Sequence, residues 1–159
     1  MSNIDKADEQ IIALLMEDGR MAAAEIARRL DGEISERVVR YRIERLVRAG
    51  VIQVSAIVKP HALGRRVVAD VWLVVESDSI LEVARRMTEF ENVSYVACSI
   101  GETDVSVQVL AHDTGEVYRF VTEVIGKVPG VRKTTTSIVP LVLKDVYQWK
   151  IPKALVADQ

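Results

Sequence analysis

Between positions 34 and 50 the apolar residues Val39, Ile43, Leu46, Val47 and Gly50 recur at helical spacing and form one stripe. Arg37, Tyr41, Arg45 and Arg48 fall on the opposite side, with Arg40 on one flank and Arg42 on the other. Ser35 stands where an N-cap hydroxyl accepts a backbone N–H, and Ile34 precedes it as the apolar residue that sets the direction of the chain. The spacing therefore predicts a helix from Glu36. Upstream, Ala24, Ile26, Ala27 and Leu30 predict a helix over 23–30, and Ile11, Ile12, Leu14 and Leu15 one over about 5–17. Asp31-Gly32-Glu33 forms the turn before the third helix. Three short helices in this order, the last one Arg-rich on its outer face, predict a helix-turn-helix whose third helix enters the major groove of double-stranded DNA.

The pattern changes after Gly50. Val51 to Val58 is a β-prone run ended by Lys59-Pro60, and residues 61–66 read as a connector. One supersecondary pattern then occurs twice. Val67 to Glu76 predicts a strand, Ser79 to Phe90 a helix with Ile80, Val83, Ala84 and Met87 inward, and Val93 to Ile100 a strand. Asp104 to Ala111 alternates Val105, Val107 and Val109 with polar residues, and Thr114 to Lys127 predicts a helix with Val117, Phe120, Val121 and Val124 inward. Asp113 or Thr114 would cap that helix, Pro129-Gly130 ends it, and Val131 to Leu143 returns as the last strand. The fold class predicted is α+β: a three-helix domain with its following strand over 1–60, the connector 61–66, and a ferredoxin-like βαββαβ domain over 67–159. The first strand of that domain is apolar on both faces, with Val67, Ala69, Val71, Leu73 and Val75 on one and Val68, Trp72 and Val74 on the other. Helices cover only one face of such a sheet, so the other predicts a homodimer through the sheets.

Charge sharpens the first reading. The chain of 159 residues has a net charge of −2, so no global positive field draws it to nucleic acid. From Ile34 to Gly50, however, five Arg stand against two Glu, whereas residues 61–159 carry 11 basic and 13 acidic side chains. Basic charge is concentrated on the expected reading helix. Arg37, Arg40 and Tyr41 are expected at base edges, and Arg42, Arg45 and Arg48 on the phosphates.

Other chemistry is sparse. Cys98, the lone cysteine, lies in an apolar run and reads as a small buried hydrophobe. His61 and His112 fall in different domains, neither at a metal-ligand spacing, and the sequence has no nucleophile elbow, phosphate-cradling loop or dinucleotide fingerprint. No cofactor, metal or catalytic residue is expected. The absence of an N-terminal apolar leader or a run of about 18 apolar residues predicts a cytoplasmic protein with no membrane partner.

Several short motifs resemble the Lrp/AsnC, or feast/famine, family of regulators along nearly the whole chain. Asp5, Asp8, Ile11-Ile12, Leu15 and Asp18-Gly19-Arg20 look like the family's first helix, and Arg42-Ile43, Arg45-Leu46 and Ala49-Gly50-Val51-Ile52 like the end of its reading helix. Gly101 to Asp104 resembles the turn between its second and third sheet strands, and Val128-Pro129-Gly130-Val131 its link into the last strand. The turn at residues 31–35 is about two residues longer than the family's, and Arg37 and Val38 replace its small hydroxyl residues. The resemblance implies a transcriptional regulator with a small-molecule effector, usually an amino acid, bound near the Gly101 turn. Gly101, Glu102, Thr103, Asp104, Thr134 and Thr136 can supply backbone, carboxylate and hydroxyl partners for a zwitterion. It also implies assembly of dimers, often into octamers; the tail after Tyr147, with Trp149 and Ile151, suits either a contact in such an assembly or packing on its own domain. Two other readings belong to different classes: a tetrapyrrole (siroheme) decarboxylase of similar two-domain look, which needs a cationic, His-bearing cavity, and a metabolite-sensing partner protein that no longer binds DNA.

Overall fold

A computed structural model describes residues 4–157 and divides the chain into two compact units. One runs to Ile57 and resumes at Leu143; the other is Val58–Val142.

The first unit contains β1 (Ile4–Asp5), α1 (Lys6–Glu17), α2 (Ala23–Arg29), α3 (Glu36–Arg48) and, after the chain returns, β6 (Val156–Ala157). A capping box starts α1: the Asp5 carboxylate accepts the Asp8 N–H at 2.8 Å, and the Asp5 N–H donates back to Asp8 Oδ2 at 3.3 Å. Ile11, Ile26, Leu30 and Val39 form the buried core, with Leu14, Leu15, Ala27 and Ile43 packed against it. Left-handed residues after α2 and α3 close both helices in the same way. Asp31 (φ 53°) lets the Gly32 N–H reach the Ala27 carbonyl, and Gly50 (φ 67°) lets the Val51 N–H reach the Leu46 carbonyl.

Four expectations for this unit are corrected. Ala24 is exposed, and so are Val47 and Gly50. The buried stripe of α3 is narrower than expected, because Val47 lies about 100° further round the helix than Leu46 and Gly50 serves as the stop. Val51 to Val58 forms no strand; its β-branched residues favour extended backbone, but no neighbouring segment supplies a ladder. The tail, expected in the second domain, pairs instead with the first unit, since β6 lies parallel to β1 with Ile4 opposite Val156 and Asp5 opposite Ala157.

The second unit contains β2 (Val67–Val75), α4 (Ile80–Thr88), β3 (Val93–Cys98), β4 (Val105–Ala111), α5 (Thr114–Arg119) and β5 (Val131–Val139). The four strands form an antiparallel sheet in the order β3-β4-β2-β5, the ferredoxin-like arrangement expected from the doubled pattern. Ala69, Val71, Leu73 and Val75 of β2 and Val105, Val107, Val109 and Ala111 of β4 meet Val83, Ala84 and Met87 of α4 and Val117 of α5 in one core. Phe120 and Phe90 close it edge to face at 5.3 Å. The Asp113 side chain caps α5 by accepting the Glu116 N–H at 2.7 Å.

The expected helix over 114–127 changes pitch. After α5 the chain makes a π-helical turn, Phe120–Val124, and then a 3₁₀ turn, Ile125–Lys127. The wider turn moves the inward stripe by one residue: Ile125 is fully buried, whereas Val124, expected inward, is exposed. Cys98 is exposed as well, against its expected burial. It ends an edge strand, which has a neighbour on one side only.

Candidate functional site: the outer face of helix α3 and the Gly101 turn

Helix α3 carries two sets of arginines in different environments. Ser35 caps the helix by accepting the Val38 N–H at 3.4 Å, as expected. Arg37, Tyr41 and Arg48 are exposed, and neither Arg37 nor Arg48 has an ion-pair partner among the described residues. Arg40 is exposed too, and its guanidinium reaches Glu36 one turn back at 2.5 Å. A solvated pair of this type is weak and readily exchanged for another anion. The structure thus brings Arg37, Arg40, Tyr41 and Arg48 onto one open face, opposite Val39, Ile43 and Leu46.

Arg42 and Arg45, expected at phosphates, are turned toward α1. Arg42 Nη1 lies 2.6 Å from Asp5 Oδ2 and 2.8 Å from Asp8 Oδ1, and its side chain is only 20% exposed. Arg45 Nη2 pairs with the other oxygen of Asp8, whose side chain is wholly buried. A buried carboxylate needs such partners, since an unpaired charge in the interior costs several kcal/mol. Burial pushes the Asp5 carboxyl upward, but the Arg42 hydrogen bond and the Asp8 N–H outweigh it and hold it below the usual carboxylate range. Arg42 is correspondingly raised by its hydrogen bonds to Asp5 and then Asp8. The first duty of this pair is to fasten α3 to α1. Sequence reasoning named Asp8 only as part of the first-helix motif and missed its pairing role, although one signal was present: an acidic residue at i, i+3, i+4 spacing from Ile11 and Ile12, on the apolar side of α1.

In the second unit the expected effector residues divide differently. Gly101 (φ 149°) sits in an exposed turn with Ile100 and Glu102 around it. Asp104 is already engaged: its carboxylate accepts the Val75 N–H at 2.8 Å, its N–H donates to the Leu73 carbonyl at 2.9 Å, and its carbonyl accepts the Ser99 N–H at 2.8 Å. It shapes the turn, leaving Glu102 and Thr103 as the polar side chains beside Gly101. Thr134 lies opposite Leu73 and Thr136 opposite Val71, so both share the helix-side face of the edge strand β5. Leu73 is also paired with Val105 of β4, which places Thr134 and the turn at the same end of the sheet, while Thr136 lies two pairs further along. A separate groove of about 740 Å³ between α4 and residues 123–129, lined by Arg85, Arg86, Glu89 and Lys127, includes none of these residues. No cluster of three metal-ligating side chains occurs among the described residues.

Comparison with known proteins agrees with this division of labour. Residues 4–53 match the winged helix-turn-helix DNA-binding family, and residues 68–148 match the Lrp/AsnC ligand binding domain. An uncharacterized HTH-type transcriptional regulator of Pyrococcus abyssi is 35% identical over 142 residues, 89% of either chain. The HTH-type transcriptional regulator LrpA of Pyrococcus horikoshii is 32% identical over 137 residues, covering 86% of this chain and 96% of that one. Among solved structures, Escherichia coli AsnC superposes with a TM-score of 0.82 at 21% identity, covering 92% of this chain and 99% of that chain. A Neisseria meningitidis transcriptional regulator in complex with L-Met superposes with 0.86 at 23%, covering 97% and 100%. These two likenesses speak for the fold, and the family matches for the two domains. With a helix-turn-helix unit followed by this ligand-binding domain, the chain belongs to the Lrp/AsnC family of DNA-binding transcriptional regulators.

Proposed function

We propose that the protein acts as a homodimeric, sequence-specific regulator, and not as a catalyst, whose α3 lies in the major groove of operator DNA and whose second unit senses an amino acid or a related small metabolite. The observation that carries the reading is the open cationic face of α3. Arg37, Arg40 and Tyr41, exposed near its start, are the proposed base-edge contacts, and Arg48 and the Ser35 end of the helix the proposed phosphate contacts. Arg42 and Arg45 fall outside this set, because two carboxylates already neutralise them.

The turn around Gly101, with Glu102, Thr103 and Thr134, is the proposed effector site. Its exposed backbone and hydroxyls suit a carboxylate, and Glu102 suits an ammonium group. The L-Met complex of the Neisseria regulator supports an amino acid as the ligand class. Dimerisation is proposed through the helix-free sheet face, where Val68, Trp72, Val74, Leu110 and Val139 surround a hydrogen bond of 3.2 Å from Gln108 to Asp70. A dimer offers two reading helices to two half-sites, in the cytoplasm with the DNA.

Fluorescence anisotropy on the DNA upstream of the protein's own gene, against a scrambled duplex of equal length across a salt series, tests the reading. The expected outcome is a preference for the natural fragment that persists at about 150 mM salt, with a steep log–log slope. Equal, weak binding to both duplexes would defeat it.

A further inference from the structure

Asp5 has three partners on three different segments. Its backbone lies opposite Ala157 in the β1–β6 ladder, its carboxylate caps α1 through the Asp8 N–H at 2.8 Å, and the same carboxylate takes Arg42 of α3 at 2.6 Å. Asp8, beside it, accepts a second hydrogen bond from Arg42 at 2.8 Å and holds Arg45. An unbroken series of contacts therefore runs from the C-terminal tail through Asp5 and Asp8 to the middle of the reading helix.

The tail is lightly held. Residues 140–150 are exposed throughout, including the large apolar side chains Leu143, Val146, Tyr147 and Trp149, and among the described residues of the segment only Ile151, Val156 and Ala157 are half-buried. A two-residue ladder is a weak attachment. It nonetheless covers the N-terminal flank of α1, where Asp5 must be fixed to do two jobs at once.

We infer that residues 156–157 are a positioning strap for the reading helix: docked on β1, they hold Asp5 where it takes up Arg42, which fixes α3 against α1 and keeps Arg42 from the DNA phosphates. The inference rests on the reading that α3 is the DNA-contacting helix. With the strap released, the Asp5 backbone is left to water, Arg42 is shared between Asp8 and solvent, and α3 gains a free cation as it loses a fixed orientation. Non-specific affinity rises while discrimination between sequences falls. The segment that ends in the strap begins at Val142–Leu143, the second covalent crossing between the two units after the one at Ile57–Val58.

The test uses the full chain in four forms: unaltered, lacking residues 156–159, Asp5→Asn, and both changes together. Two readouts are taken, amide hydrogen exchange in α1 and α3 without DNA, and the salt dependence of binding to a random-sequence duplex. Each single change is expected to speed exchange in α3 by about threefold or more, with the double variant no faster than the faster single. Each should also steepen the log–log salt slope by up to about one, the signature of one additional phosphate contact. Ala157→Pro, which keeps the chain length but disrupts the ladder, should reproduce the deletion. Unchanged α3 exchange in the deletion, or effects that multiply in the double variant, would overturn the strap. Duplex binding by none of the four forms would sink the DNA-reading helix instead, and the exchange measurements would then decide the strap alone.

Discussion

Arg37 and Arg42 lie on the same helix in opposite electrostatic situations. Arg37 is open to solvent, whereas Arg42 is held between two carboxylates. Their removal should therefore be felt in different assays. Arg37→Ala is expected to cost roughly 1–3 kcal/mol of DNA binding and to relax specificity at one base position, with the melting temperature little changed; a panel of operator variants checks this, and equal weakening across the panel would contradict a base-reading role. Asp8→Ala should instead destabilise the first unit by about 2–4 kcal/mol, because it leaves Arg45 without its carboxylate and Arg42 with Asp5 alone. Denaturant unfolding measures that loss. In the second unit Gly130 is a residue with no freedom to change: its φ is 90°, and an added Cβ would stand 2.8 Å from the Ser79 Cβ. Gly130→Ala is expected to destabilise by roughly 1–3 kcal/mol through backbone strain and the contact with Ser79 together.

At the scale of elements, the joint between α1 and α3 is electrostatic as well as apolar. Because the Asp5 carboxyl titrates lower in the folded protein than its ordinary value, its contribution is complete above the unfolded value of about 4 and is lost as the pH falls through the lower folded value. The α1–α3 joint should thus be insensitive to pH between about 5 and 8 and loosen only in acid, a trend that exchange of the α3 amides reads directly; loosening already at about pH 6 would assign the joint to another group. The sheet unit depends on apolar packing. Met87, fully buried between α4 and the sheet, is expected to cost about 2–5 kcal/mol when replaced by alanine. The π turn at Phe120–Val124 shows how far packing governs an element: it follows the inward Phe120 and Val121 with a buried Ile125 where a regular helix would have turned Val124 inward.

At the scale of the whole molecule, one face of the second unit's sheet carries none of that unit's own helices. Trp72 at its centre, flanked by Val68 and Val74, is expected to anchor the contact between two copies. Trp72→Glu should convert dimers to monomers in analytical ultracentrifugation while the secondary structure persists, because burying a carboxylate in place of the indole costs several kcal/mol. A variant that sediments as the unaltered protein does would remove the sheet face from the assembly.

The amino-acid sequence by itself determined the three helices, the doubled βαβ pattern and the position of the arginine-rich third helix, because each depends on local periodicity and on caps such as Ser35 and Asp113 that act within one turn. The same local patterns carried the resemblance that the family matches bear out. The burial of Ile125 in place of Val124, the exposure of Val47 and Cys98, and the lack of a strand at 51–58 were decided by tertiary structure, since each depends on what a distant segment does or does not supply. So was the difference among the arginines of α3. Spacing placed Arg42 and Arg45 among the DNA contacts, but their nearest anions are Asp5 and Asp8, more than thirty residues away in the chain and in direct contact in the fold. Charge acts through space at full strength over a few ångströms, and a sequence records only which charges exist, not which of them have met.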